Sequence, residues 1–199
     1  MKEVIVIGAG LAGSEATYQL AKEMNWKRIL VLTFKPAVQS AWEEDLLTHI
    51  DFEGWQFISR TSTLTYETAD KSKPIVCFGS FQDYLGRTKL GGIKAHHEWV
   101  HALNWDCVIF DEYHYGSWRD RNKGQFDTGE ASDMELLDDN VIPITADYML
   151  FLSGTPFRAI NTGEFLEDQI YNWTYGDEQD AKANWDDNKG NNPYASMPE

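Results

Sequence analysis

Positive charge is scarce in this chain: 17 Lys and Arg stand against 32 Asp and Glu among 199 residues, for a formal net charge of −15. Bulk electrostatics therefore repel nucleic acid and anionic membranes, and binding of either depends on a local basic patch. Long apolar runs are also missing, since none approaches the roughly 20 residues that span a bilayer. Met1-Lys2-Glu3 and its short apolar continuation lack the cleavage region of a signal peptide. A soluble, cytoplasmic protein with no membrane partner is the expectation. There are only two cysteines, Cys77 within Ile75-Val76-Cys77-Phe78 and Cys107 within Cys107-Val108-Ile109-Phe110. Apolar surroundings of that kind suit buried reduced thiols better than a disulfide or a thiolate metal site.

Apolar material is plentiful, at 42% hydrophobic and 14% aromatic residues, enough for one compact α/β domain or two small ones and too much for a disordered tail. Apolar stretches of strand length recur at 4–7, 29–33, 55–59, 75–79, 107–111 and 148–153. Runs so continuous suit strands covered on both faces. Between the first two, Leu11, Ala12, Ala16, Leu20 and Met24 recur at helical spacing, and Asn25 is placed to close that helix. Strand, tight turn, helix and strand make a βαβ unit, and its repetition predicts an α/β fold: three layers around a mainly parallel sheet. Ligands of such sheets bind beyond the carboxyl ends of the strands. Residues 60–74 and 116–133 are polar and read as exposed loops. Beyond Gly163 the pattern turns acidic and aromatic, and from Asp186 it holds too little apolar material to pack. The expectation is a single domain over 1–185 with a linker or frayed end over 186–199.

The first glycine loop supports several readings. Gly8-Ala9-Gly10-Leu11-Ala12-Gly13 follows a strand and opens a helix, where glycines let a pyrophosphate approach backbone N–H groups at the positive helix end. The stretch Val4 to Ala16, Val-Ile-Val-Ile-Gly-Ala-Gly-Leu-Ala-Gly-Ser-Glu-Ala, resembles the flavin-binding start of the folate- and FAD-dependent tRNA uracil methyltransferases, over about the first 20 residues. A dinucleotide fingerprint also wants an acid near the end of the second strand, and there the chain reads Leu30-Val31-Leu32-Thr33-Phe34-Lys35. The same glycines, Gly8 and Gly13, have the spacing of a phosphate-binding P-loop, with Ser14 where a Lys and Glu15 where a hydroxyl belong. A third reading is a glycine turn that packs a helix on a strand.

Downstream, Cys107-Val108-Ile109-Phe110-Asp111-Glu112-Tyr113-His114 is an apolar strand ending in two acids and a histidine, the Walker B arrangement of a motor ATPase. Phe151-Leu152-Ser153-Gly154-Thr155-Pro156-Phe157 resembles motif III of superfamily 2 helicases, and Leu30 to Pro36, with Trp42 after it, resembles motif Ia. Phe78-Gly79-Ser80-Phe81-Gln82-Asp83 stands where those proteins carry a Ser-x-Gln segment. From about Ala21 onward the chain is most similar to the N-terminal RecA-like domain of DEAD/DEAH helicase-like proteins related to type I and III restriction subunits. The resemblance implies Mg·ATP as ligand, Asp111 as the Mg²⁺-associated acid, Glu112 as the water-orienting acid and His114 as a coupling residue. It implies that Ser153, Gly154 and Thr155 transmit nucleotide state and that Thr33, Lys35 and Ser80 lie near a nucleic-acid backbone. Gly8, Gly10, Gly13, Ser14 and Glu15 would form the nucleotide loop.

Two departures weaken the expected hydrolysis. Motif I is replaced by the flavin-type loop, and the second RecA-like domain with its arginine finger, worth about 10³–10⁵ in rate, is missing. Because both loop types occupy a strand-to-helix turn, one can replace the other without disturbing the core pattern, and the chain reads as a hybrid with an exchanged first βα unit. The expected function is a helicase-like nucleotide-binding domain, derived from ATP-driven translocation on DNA, with hydrolysis weak or absent. The alternative is a module holding FAD or NAD.

His97-Glu98-Trp99-Val100-His101 also matches the H-E-x-x-H pattern of zinc hydrolases, in which two imidazoles share a helix face. A short polar helix leading into the next strand, with Trp99 and Val100 turned inward, explains the segment more simply. Trp26, Trp55 and Trp105 each begin or precede an apolar strand and are expected in the core or at its rim. Trp118 with Arg119 and Arg121 is the better candidate for a partner surface.

Overall fold

Runs of branched aliphatic residues form the strands β1 (Lys2–Ile7), β2 (Arg28–Thr33), β3 (Gln56–Ile58), β4 (Ile75–Ser80), β5 (Asn104–Asp111), β6 (Thr145–Leu152) and β7 (Ile170–Asn172). The helices are α1 (Leu11–Glu23), α2 (Gln39–Thr48), α3 (Phe81–Tyr84), α4 (Glu98–Ala102) and α5 (Tyr175–Ala183). This computed structural model describes residues 2–7, 11–33, 35–84, 98–111, 144–153, 170–172 and 175–186. The strands form one sheet in the order β3-β4-β2-β5-β6-β1-β7, and every neighbouring pair is parallel.

Alternation along each strand builds a core on both faces. Ile29 and Val31 of β2 turn toward a cluster with Tyr18 of α1 and Trp42 and Leu46 of α2. Leu30 and Leu32 turn the other way, toward Tyr84 of α3, Val100 of α4 and Trp105. These four β2 side chains are completely buried, each contributing roughly 1.5–3 kcal/mol relative to exposure. The fold is thus the expected three-layer α/β arrangement around a parallel sheet. Cys77 and Cys107 are buried free thiols on opposite faces. Trp26 and Trp105 are core residues, and Trp55 packs against the α1–α2 cluster.

Local chemistry fixes the ends of the elements. Asn25 adopts a left-handed φ of 54°, a conformation that Asn tolerates better than most residues. There Asn25 N–H donates to Lys22 O and Trp26 N–H to Ala21 O, closing α1. At the amino edge of the sheet the Asp106 carboxylate accepts from the backbone N–H groups of Lys27 (2.6 Å) and Arg28 (2.8 Å) and pairs with the Arg28 guanidinium at 3.3 Å. One side chain of β5 therefore fixes where β2 begins.

Two features go beyond what the sequence pattern indicates. The unit β1-α1-β2 has parallel strands, but they are not neighbours: β6 and β5 lie between them. The element β7 and the helix α5 fall where the apolar periodicity signals nothing. Residues 187–199, most of the expected linker, lie outside the described residues. Among the described residues no helix is long and apolar enough to cross a membrane.

Candidate nucleotide site

Because all strands run the same way, their carboxyl ends share one rim. Register aligns Thr33 with Asp111 on one side and with Ser80 on the other. Three residues singled out in the sequence thus form one polar row across β5, β2 and β4, and all three are buried. On the far side of β5, Phe110 is level with Phe151 of β6, and Val6 of β1 is level with Leu152. The end of β1 therefore lies on the same rim as Asp111, with β6 between them.

Neighbouring strands whose onward connections leave in opposite directions occur at three places on this rim, β4 with β2, β2 with β5 and β6 with β1, and the last is the one that adjoins the end of β1. From β1 the chain runs to β2 on one side, whereas from its neighbour β6 it runs to β7 on the other. Connections that leave in opposite directions open a crevice at the strand ends, where ligands of parallel α/β sheets bind. The end of β1 and Ser153, which is buried at the end of β6, flank that place. Gly8, Gly10, Glu112, His114, Gly154 and Thr155 lie outside the described residues. Gly13 and Ser14 are buried in the first turns of α1, which also contains Glu15.

Helix α2 ties the first turn of α1 to the acid of β5. The Ser14 hydroxyl donates to Asp45 of α2. One turn earlier on α2, the buried Trp42 indole N–H donates to Asp111 Oδ2 at 3.1 Å. The Tyr18 hydroxyl donates to the Trp42 carbonyl at 2.9 Å, and its ring meets the Trp42 ring edge-on at 5.5 Å. Burial first, then the nearby carboxylates of Asp45, Asp111 and Glu43, push the Tyr18 hydroxyl well above its ordinary pKa. Carboxylates are therefore concentrated around Tyr18, and one of them, Asp45, reaches the first turn of α1, a setting that favours a cation over a bare phosphate. Neither Asp45 nor the Trp42 contact was legible in the sequence, although Trp42 and Leu46 at helical spacing mark the buried face of α2.

The remaining candidates separate. Thr33 Oγ1 accepts the Lys35 N–H at 3.0 Å, shaping the turn after β2, and Lys35 is exposed. Ser80 Oγ donates to Asp83 Oδ2 at 2.9 Å and accepts the Asp83 N–H at 3.1 Å, closing the start of α3. For the dinucleotide reading, strand order is adverse: the acid of that fingerprint comes from a strand beside the first one, and β2 here is three places away. For the zinc reading, His101 Nε2 lies 2.7 Å from the Tyr84 carbonyl oxygen. A carbonyl only accepts, so Nε2 carries the proton and offers no lone pair to a metal. His97 lies outside the described residues, and among the described residues no cluster of metal-ligating side chains occurs. Trp99 is half-buried and Val100 buried, as the simpler reading expects. Trp118, Arg119 and Arg121 also lie outside the described residues.

No family model matches the chain. It is 30% identical, over an alignment of 194 residues, to a Mycoplasma pneumoniae (strain ATCC 29342 / M129 / Subtype 1) protein named "Putative type II restriction enzyme and methyltransferase RM.MpnORF110P C-terminus". The alignment covers 83% of this chain and 27% of the relative, so the chain spans about a quarter of that protein's length. Among solved structures it is similar to the Sulfolobus solfataricus SWI2/SNF2 ATPase core in complex with dsDNA, with a TM-score of 0.47 and 16% identity over 77% of this chain and 28% of that one. It is also similar to the C-terminal part of the Fun30 ATPase domain, with a TM-score of 0.35 and 14% identity over 78% of this chain and 46% of that one.

Proposed function

We propose that this chain is a helicase-like nucleotide-binding domain of a restriction-type ATP-dependent DNA translocase, with weak hydrolysis of its own. The observation that carries the reading is that the carboxyl ends of β1 and of β5, the latter with Asp111, lie on one rim with only β6 between them. A strand-to-helix turn facing an acid across one strand is the arrangement that phosphoryl-transfer sites use, the turn cradling phosphates and the acid holding Mg²⁺ through water. Asp111 takes the metal-associated role, Glu112 orients the attacking water, and His114 with Ser153, Gly154 and Thr155 relays nucleotide state. Thr33, Lys35 and Ser80 face the DNA backbone along the neighbouring strand ends.

Weak hydrolysis follows from the loop chemistry. At the position of the phosphate-binding Lys stands Ser14, whose hydroxyl is already given to Asp45. No cationic side chain at that position offsets the phosphate charge, so binding leans on Mg²⁺. The test is a thermal-shift comparison of Mg·ATP, Mg·ADP, FAD and NAD. A rise in Tm with Mg·ATP that EDTA abolishes supports the proposal. A rise with FAD or NAD alone overturns it in favour of a dinucleotide module.

A further inference from the structure

At the opposite end of the polar row a cavity of about 650 Å³ opens beyond the carboxyl ends of β3 and β4. It is distinct from the β1–β6 crevice, being on the far side of β2 from β5. Its size falls in the range of small-molecule sites. Aromatic rings form one wall: Tyr66 stacks on Trp99 with centroids 5.0 Å apart and planes 15° from parallel, and Tyr84 meets Trp99 edge-on at 6.3 Å. The wall is held in place, because the Tyr84 ring lies over Gly79, where a Cβ would come within 2.1 Å of it, and the Tyr84 hydroxyl donates to the Phe78 carbonyl.

Charged groups of both signs line the same cavity, Asp83 and Glu67 against Arg60. Asp83 is anchored by its two bonds with Ser80. Arg60 is exposed within the turn that Ser59 and Ser62 close through their mutual bonds, and among the described residues no ion pair engages it. A ligand that satisfies all three features has a flat aromatic body, an amino edge for a carboxylate and an anionic group for a guanidinium. A nucleotide unit with an amino-bearing base has that combination: bases stack on aromatic side chains, and Arg takes phosphate in a fork.

We infer that this cavity binds one nucleotide unit, its base against the half-buried Tyr66 and Trp99 rings, its amino edge on Asp83 and its phosphate on Arg60. The unit comes either from a single strand crossing the rim past Ser80 or from a free mononucleotide. Thymine, which has no amino group, is bound less well. The site does not depend on Mg²⁺ or on Asp111.

The experiment is equilibrium binding in EDTA, which separates this site from the Mg·ATP reading. Single-stranded 12-mers of dA, dC and dT, labelled for anisotropy, are compared with AMP as competitor, for the wild-type chain, Arg60→Ala and Asp83→Asn. Arg60 is exposed, and Asn keeps an oxygen for Ser80, so both variants are expected to melt like wild type. The expected result is binding of dA and dC at least about tenfold tighter than dT, weakened about tenfold by Arg60→Ala. Asp83→Asn flattens the base preference. If AMP binds and is weakened by Arg60→Ala while the 12-mers do not bind, the site stands with a free nucleotide as its ligand. No binding of either, or binding that neither variant changes, overturns it.

Discussion

The indole N–H of Trp42 donates to Asp111 Oδ2 across 3.1 Å, joining residues 69 positions apart in the chain. Both partners are buried, so the bond fixes the carboxylate's orientation at the rim and joins α2 to β5. Removing the donor leaves a buried carboxylate oxygen short of a partner, which costs more than the bond is worth when made. Trp42→Phe, which keeps most of the ring, should destabilise the chain by about 1–3 kcal/mol in urea unfolding. An unchanged midpoint would show that the carboxylate finds another donor without cost.

Asp106 does at the amino edge what Trp42 does at the carboxyl edge, since its carboxylate gathers two backbone N–H groups and one guanidinium. Asp106→Ala strands the Lys27 and Arg28 amides and should cost roughly 1–3 kcal/mol. Urea denaturation measures the loss; a difference under about 0.5 kcal/mol, typical of surface substitutions, would contradict the role given to it.

At Gly79 the Tyr84 ring lies where a side chain would begin. Gly79→Ala forces the ring aside and should destabilise by about 1–3 kcal/mol, the ordinary cost of overpacking. Tyr84→Leu combined with Gly79→Ala should recover part of that loss. Additive losses in the double variant would place the strain elsewhere.

Burial raises the pKa of both Cys77 and Cys107. The sign follows from linkage: the thiols stay neutral in the fold while the unfolded chain ionises them near pH 8.5, so stability present below that pH is lost as pH rises. Each thiol contributes a slope of up to about 1.4 kcal/mol per pH unit in that window. Urea unfolding from pH 7.5 to 10 should show the decline, and Cys77→Ala with Cys107→Ala should remove most of it. A flat profile in the wild type would mean that the thiols ionise in the fold.

Much of this was legible in the sequence where one physical rule dominates. Strands buried on both faces read as continuous apolar runs, and Asn25 announces the end of α1 because few residues tolerate its backbone angle. Asp111, Thr33 and Ser80 could be picked from motif order, but their alignment in one row is a matter of register, which only the folded sheet fixes. The βαβ reading gave parallel strands but no strand order, because the insertion of β5 and β6 between β1 and β2 depends on contacts far along the chain. Asp45 could not be found at all, since an acid on an amphipathic helix carries no signal of which side chain it will meet.

Restoring the missing P-loop chemistry offers a gain-of-function check. Ser14→Lys with Glu15→Thr replaces a hydroxyl held by Asp45 with a cation and supplies a hydroxyl for Mg²⁺, and should tighten Mg·ATP binding by at least about tenfold. Unchanged affinity would contradict the alignment of this turn with a phosphate-binding loop.

The central claim is that a Mg²⁺-nucleotide occupies the rim between the first strand and Asp111. Calorimetric titration of Mg·ATP into the wild-type chain and into Asp111→Asn, whose side-chain oxygen still accepts from Trp42, tests it most directly. The account predicts saturable binding in the wild type and its loss in the variant with the fold intact. No heat at millimolar nucleotide, or equal affinity in both, would contradict it.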